Sequence, residues 1–267
     1  MTADMAGAYL AFAHSLADAA ARETLPRFQR DITIDDKGAQ GDFDPVTAAD
    51  RAAEDVIRER IKKTYPDHGI RGEERGQEHG ASAYTWVVDP VDGTRAFICG
   101  IPLWTTLIAL NDGKQPILGV IDQPYLGERY YASADGAFLK ARGALRPLAT
   151  RRSATLSDAI FSTTSPGLFH SARDRALHDT LVSATRLARY GCDAYAYALL
   201  AAGKIDLVVE PGLQAWDVQA LLPIIRGAGG AVARFDGGDP QEGGDVIAAA
   251  TPSLLAECLA LVAKATG

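Results

Sequence analysis

Cysteine is scarce in this sequence: Cys99, Cys192 and Cys258 are the only three among 267 residues. An odd number with no C-x-x-C pair argues against a disulfide framework and a cysteine zinc site, and it fits a reducing compartment. Histidine supplies no metal pair either. His14, His68, His79, His170 and His178 show no H-x-x-x-H or H-E-x-x-H spacing, so they read as surface or packing residues and a zinc hydrolase is excluded. Basic residues are neither in excess nor clustered. The formal charge is −7, which argues against a nucleic-acid partner, because phosphate backbones are held by grouped Lys and Arg. No apolar run approaches the roughly 20 residues that cross a bilayer, so no membrane partner is expected. No Lys or Arg precedes Arg22, so a secretory or transit leader is not expected and the reading is cytoplasmic.

What is present is an ordinary globular composition, 47% hydrophobic and 23% charged. The length suits one large domain or two intimate ones, since single cores stop growing at roughly 250–300 residues. Leu10, Ala13, Leu16, Ala17 and Ala20 predict a helix over about 6–30 with a break near Pro26. Thr47 followed by Asp50 predicts a capping box, and Ala53, Val56, Ile57 and Ile61 form the apolar stripe of a second helix ending before Pro66. From Thr85 short period-two runs separated by Gly, Pro, Asn and Asp predict an antiparallel meander. After about Thr150 strands and helices alternate, including a helix over about 178–189 and one continuous helix from Trp216. The expected organisation is an α+β half over 1–150 and an α/β half over 151–267, sharing an interface.

The stretch WVVDPVDGTRAF, Trp86 to Phe97, runs an apolar strand into two carboxylates, Asp89 and Asp92. Pro90 is expected to end the pairing of that strand, and Gly93 to allow a tight turn into a short helix. Both carboxylates and the Val91 carbonyl then face one side, with the N–H groups of Gly93 and Thr94 as an anion cradle. Oxygen donors of this kind suit a hard cation such as Mg²⁺. Asp-Pro and Asp-Gly are also common turn dipeptides, so a plain surface turn is the competing reading. A calcium loop of EF-hand type is excluded, because its twelfth position would be Gly100 rather than Glu. The glycine-rich RGAGGAV follows a helix and precedes a strand, opposite to a dinucleotide loop, and reads as a helix C-cap. Glu73 and Glu74 end a strand upstream, where they also read as a solvated turn, and Asp217 starts a late helix, where it also reads as an N-cap. Carboxylates at three separate strand ends or helix starts are what a cation cluster between the two halves requires.

GEE, then DPVDGTRAF, then WD resemble, in order and spacing, the three-part signature of the inositol-monophosphatase family of Mg²⁺-dependent, lithium-sensitive phosphatases. The stretches around Arg95 and YGCDAYAYALLAAG most resemble the histidinol-phosphate phosphatase branch. This resemblance implies a layered α-β-α-β-α sandwich and a homodimer. It implies two or three Mg²⁺ per site, with Glu73, Asp89 and the Val91 carbonyl on one ion and Asp89, Asp92 and Asp217 on another. The substrate would be a small phosphorylated metabolite, histidinol phosphate, attacked by a water oriented by Thr94, Asp50 and Glu73. Two such cations about 4 Å apart clamp a phosphate and activate water without a covalent intermediate.

For the substrate, Asp92, Gly93, Thr94, Arg95, Arg189, Asp193 and Glu210 are the candidates. Histidinol phosphate carries cationic nitrogen, which carboxylates such as Asp193 and Glu210 would pair. Asp193 reads equally as a helix N-cap, Asp50 as a capping residue, and Arg189 as a helix-dipole partner. Arg95 could hold phosphate or a pocket carboxylate. Cys192 reads as a pocket residue or a small buried one. The competing functions are an inositol or broad sugar-phosphate phosphatase, and a noncatalytic metal or phosphometabolite sensor. The intact set Glu73, Asp89, Asp92, Thr94 and Asp217 speaks against the sensor.

Overall fold

Alternating side chains along each strand decide which layer lies above and which below it. The protein is described by a computed structural model over residues 3–31, 33–38, 45–152 and 155–266. Helix α1 (Ala3–Thr24) is followed by a ribbon of β1 (Ile34–Asp36) and β2 (Pro45–Thr47), then by helix α2 (Ala48–Thr64). The Thr47–Asp50 capping box forms as read from the sequence.

A large sheet comes next, built from β3 (Gly69–Gly72), β4 (Gly76–Glu78) and β5 (Thr85–Asp92). After the short helix α3 (Thr94–Ile98) it continues with β6 (Thr105–Asn111), β7 (Pro116–Gln123), β8 (Glu128–Ser133), β9 (Gly136–Ala141) and β10 (Ala144–Pro147). Its spatial order is β10-β9-β8-β7-β6-β5-β3-β4. The expected meander β5 to β10 is antiparallel throughout, while β3 lies parallel to β5.

The rest of the chain supplies β11 (Ile160–Thr163), α4 (Ala172–Ala184), β12 (Leu187–Tyr190), α5 (Ala194–Ala201) and β13 (Leu207–Gln214). Then come α6 (Ala215–Val218), α7 (Leu221–Gly227), β14 (Ala231–Arg234), β15 (Gly243–Ala249) and α8 (Pro252–Thr266). The smaller sheet has the order β12-β11-β13-β15-β14, with β11 parallel to both of its neighbours.

These parts stack as α-β-α-β-α. Trp86 and Val88 of β5 face α1 and α2, meeting Ala13, Leu16, Ala17, Ala53, Ile57 and Ile61. Val87, between them, faces the other way onto α5 and α7, which fill the middle layer. Val208 and Ala248 of the small sheet close that layer from beyond, while Leu207, Val209, Ile247 and Ala249 face α4 and α8. Among the described residues no helix is long and apolar enough to cross a membrane.

Three local expectations are corrected. The helix expected over 178–189 ends at Ala184, where both the N–H and the hydroxyl of Thr185 donate to the Leu181 carbonyl. The N–H of Arg186 then donates to Ala159, and 187–190 becomes an edge strand. The single helix expected from Trp216 is two, α6 and α7, because Pro223 has no N–H to return to the preceding turn. Pro90 does not end β5: a one-residue bulge sets Asp89 opposite Leu107 and Asp92 opposite Thr105, and pairing resumes beyond it.

Candidate active site

The site grows from two strands that break the same way. Val87-Val88-Asp89-Pro90 in β5 and Val208-Val209-Glu210-Pro211 in β13 each carry an acid followed by a proline. In each the register then slips by one residue, between Asp89 and Asp92 and between Glu210 and Leu213. Proline cannot donate to the ladder, so a bulge is where it is tolerated, and a bulge re-aims the flanking side chains. Both acids line one cleft of about 360 Å³ between the sheets.

That cleft is lined by Glu73, Asp89, Val91, Asp92, Gly93, Thr94, Arg95, Asp193, Glu210 and Asp217, from five regions of the chain. Asp89, Asp92 and Asp217 each offer a carboxylate oxygen, all within 4.8 Å of one another. Asp89 is buried and Asp92 and Asp217 are half-buried. The Val91 N–H donates to Asp89 Oδ1 at 3.0 Å, and the Ala194 N–H at the start of α5 donates to Asp92 Oδ2 at 2.7 Å. Asp217 accepts from the Gln214 N–H at 2.7 Å, so Gln214, not Asp217, is the N-cap of α6.

Loss of water, and then the charges of Glu73, Asp92 and Asp217, push the Asp89 carboxyl well above its ordinary range. Asp92 is pushed the same way by its surroundings and then by Asp193 and Asp217. Glu73 is also raised, chiefly by burial, although Lys37 and a hydrogen bond with Asp89 oppose this. Carboxylates pressed together in this way need a positive partner. Their oxygen-only donor set, in a cleft that Val91 also lines, fits a hard divalent cation.

Behind the carboxylates stands Thr94. Its hydroxyl lies 3.0 Å from Asp50 Oδ1 and 3.0 Å from the Val91 carbonyl, both acceptors. Asp50 is fully buried, and its other oxygen accepts from the Thr47 N–H at 3.0 Å. Asp50 is therefore both the capping residue of α2 and the partner of Thr94. It lies behind the cleft lining rather than in it.

In the same cleft, the Thr164 N–H donates to Glu210 Oε1 at 2.6 Å and the Tyr197 hydroxyl to Oε2 at 2.9 Å. Burial pushes the Glu210 carboxyl up to about 7 despite those bonds. Asp193 holds the N-cap position of α5 but makes no side-chain cap. Its φ of 47° is a conformation that L side chains rarely adopt. Its carboxyl packs against Gly93, where a Cβ would lie 3.3 Å from Asp193 Cγ and where φ is +81°. Burial pushes it up to about 6, with the charge of Arg95 acting in the opposite sense. The two readings of Asp193 thus separate: the side chain faces the cleft.

Arg189 is not brought to the cleft lining; it sits exposed in β12, as a consequence of the helix that ends early. Cys192 is half-buried and packs against the middle layer. Sequence reasoning missed Lys37, whose Nζ bonds Glu73 at 3.0 Å and Glu74 at 2.6 Å. Nothing local in the sequence marks a lysine for that place. Burial alone would depress its ammonium, yet the bonds to Glu74 and Glu73 hold it above the usual range. Tyr197 was also missed, although it lies one helical turn beyond Asp193 and its spacing could have shown it.

A sequence model of the inositol monophosphatase family matches residues 7–266. The chain is 42% identical over 232 residues to "Bifunctional phosphatase IMPL2, chloroplastic" of Arabidopsis thaliana, covering 86% of this chain and 65% of that protein. It thus spans somewhat less than two thirds of that relative's length. It is 37% identical over 247 residues to a histidinol-phosphatase of Streptomyces coelicolor, covering 90% of this chain and 91% of the relative. A solved inositol monophosphatase from Zymomonas mobilis superposes with a TM-score of 0.85 at 36% identity, over 98% of this chain and 100% of the other.

Proposed function

This chain belongs to the inositol monophosphatase family, and from that premise we propose that it is a Mg²⁺-dependent phosphomonoesterase converting histidinol phosphate and water into histidinol and phosphate. The observation that carries the reading is the pairing of two carboxylate groups in one cleft. Asp89, Asp92 and Asp217 converge at one side, and Asp193 and Glu210 add further acids beside them. The first group suits cations, and the second suits a substrate that carries cationic nitrogen next to its phosphate ester. The similarity to a histidinol-phosphatase supports the same choice.

Glu73, Asp89 and the Val91 carbonyl would hold one Mg²⁺, and Asp89, Asp92 and Asp217 another. When bound, such cations neutralise phosphate charge and lower the pKa of water. The chain's own part begins at Thr94. Its hydroxyl proton is directed to Asp50 or the Val91 carbonyl, so a remaining lone pair would accept from the water that attacks phosphorus. Asp50 is held by Thr47 and cannot swing away. Thr94→Val is expected to lower kcat by about 10²-fold, as for loss of one proton-positioning group, while Thr94→Ser retains most of it. Steady-state kinetics at saturating Mg²⁺ checks this.

Asp193 and Glu210 would receive the ammonium and imidazole of the substrate, with Tyr197 and Thr164 fixing the Glu210 carboxylate. The Glu210 carboxyl, pushed up to about 7, pairs with a cation only when ionised. As pH falls through that value it becomes neutral, so KM for histidinol phosphate should rise, by up to about tenfold per pH unit at the limit. Glu210→Gln should flatten the dependence. An unchanged pH profile in that variant would remove Glu210 from substrate binding.

The second reading, an inositol monophosphatase or broad sugar-phosphate phosphatase, draws on the Zymomonas likeness, since acids at these places could also accept from hydroxyls. Phosphate release from histidinol phosphate, inositol phosphate and a set of sugar phosphates, with and without Mg²⁺, separates the two. A higher kcat/KM for inositol phosphate would overturn the histidinol assignment. Mg²⁺ binding without release from any ester would point to a sensor.

A further inference from the structure

Glu54 takes no direct part in the cleft, yet it is one of the most deeply buried charged groups described. It is 0% exposed, and Arg58, one turn later on α2, is 5% exposed. Glu54 Oε2 accepts the Glu74 N–H at 2.7 Å, and Oε1 accepts the Arg75 N–H at 3.0 Å. Arg58 Nε donates to Oε1 at 2.7 Å, its Nη1 reaches Glu78 at 2.8 Å, and its Nη2 donates to the Gly76 carbonyl. The N–H of Glu73 itself donates to Val88 in β5 at 3.3 Å. Three consecutive amides, 73, 74 and 75, are therefore tied down, one to the strand that carries Asp89 and two to Glu54.

Gly72 shows how close this approach is. A Cβ there would lie 2.2 Å from Glu54 Oε1, so glycine is required for Glu54 to reach the turn. Asp50, Glu54 and Arg58 fall at successive turns of one helix. Asp50 holds Thr94, and Glu54 holds the turn that presents Glu73, so a single rigid element sets both. An acceptor with no exposure that bonds the backbone of a turn fixes that turn more firmly than a solvated contact, because water cannot replace it.

We propose that Glu54 is a positioning residue for Glu73: through the Glu74 and Arg75 amides it sets the Glu73 carboxylate against Asp89, and so governs how tightly Mg²⁺ is held rather than the chemical step. The proposal rests on the phosphatase reading of the cleft. In Glu54→Gln an amide NH₂ replaces one acceptor oxygen and faces an N–H, so one of the two turn bonds is lost. The half-saturating Mg²⁺ concentration should rise about tenfold or more, while kcat at saturating Mg²⁺ stays within about threefold of the parent. Gly72→Ala, which displaces Glu54 from the other side, should shift Mg²⁺ dependence in the same direction. Arg58→Met should lower thermal stability but leave the Mg²⁺ dependence near that of the parent. The charge-balanced double variant Glu54→Gln/Arg58→Met should behave toward Mg²⁺ like Glu54→Gln.

Amide hydrogen exchange and calorimetric Mg²⁺ titration of the full chain without substrate complete the test. Glu74 and Arg75 should exchange at least about tenfold faster in Glu54→Gln, with the amides of β5 and the apolar face of α2 unchanged. The proposal is overturned if kcat falls while Mg²⁺ affinity does not, if Arg58→Met reproduces the Mg²⁺ defect, or if exchange accelerates throughout the fold. If the parent releases no phosphate from any ester, the functional reading fails instead, and the titration still reports whether Glu54 sets cation affinity.

Discussion

Asp217→Asn is expected to lower Mg²⁺-dependent phosphate release by about 10³-fold, equivalent to about 4 kcal/mol of transition-state stabilisation, in a protein that remains folded. The separation of these effects follows from what Asp217 touches. One oxygen accepts from the N–H of Gln214, the N-cap of α6, and so completes its capping box, a role that the Asn carbonyl can fill. What the amide cannot supply is a negative oxygen among Asp89, Asp92 and Asp217. Asp89→Asn should show the same loss with a second signature. Asp89 is buried and, without a cation, strained by the charges of Glu73, Asp92 and Asp217. Its amide removes that repulsion, so the variant should melt higher than the parent in chelator, by about 2–4 °C for each kcal/mol relieved. Near-normal turnover in either variant would end the assignment of these residues as ligands. A lower melting point of Asp89→Asn in chelator would show that the carboxyl is structural.

Removing divalent metal from the parent protein is expected to reduce phosphate release to background, with recovery on adding Mg²⁺. Without cations the acids of the cleft repel a phosphate dianion as well as one another, so binding should fail before chemistry is reached. The same physics predicts a stability change. Mg²⁺ at a hundred times its dissociation constant should stabilise the fold by about 2.7 kcal/mol for one site. That corresponds to a rise of about 5–11 °C in melting temperature. Asp217→Asn should lose most of this rise. Turnover that persists in excess chelator, or a melting point indifferent to Mg²⁺, would contradict the cation site.

Many of the elements were legible because burial imposes a period, while their layered stacking was implied only by the family resemblance. Leu16 and Ala17 in α1 and Ile57 and Ile61 in α2 reveal which face turns inward, while Trp86, Val87 and Val88 in β5 are apolar without a break, as in a strand buried on both faces. The capping box at Thr47 was legible for a similar reason, since both of its bonds lie within four residues. Local rules failed where a local preference met a tertiary partner. Leu187 to Arg189 were expected to continue a helix, yet β11 offers them a parallel ladder. Pro90 should end a strand, yet β6 resumes pairing beyond a bulge.

By itself the sequence determined which chemistry was possible, because residue type settles charge and donor set: an oxygen-rich, cysteine-poor and histidine-poor set of acids at strand ends can hold hard cations and little else. It also set the order of the elements through apolar periodicity. Only the tertiary structure decided that Asp217 approaches Asp89 and Asp92, that Asp193 faces Gly93 instead of capping its helix, that Arg189 stays outside, and that Lys37 and Glu54 flank Glu73. Those pairings join parts of the chain that no local rule connects. They exist because packing two sheets on a shared helical layer brings their bulged strand ends to one cleft, where the positions of charges are set by the layers and not by neighbours in sequence.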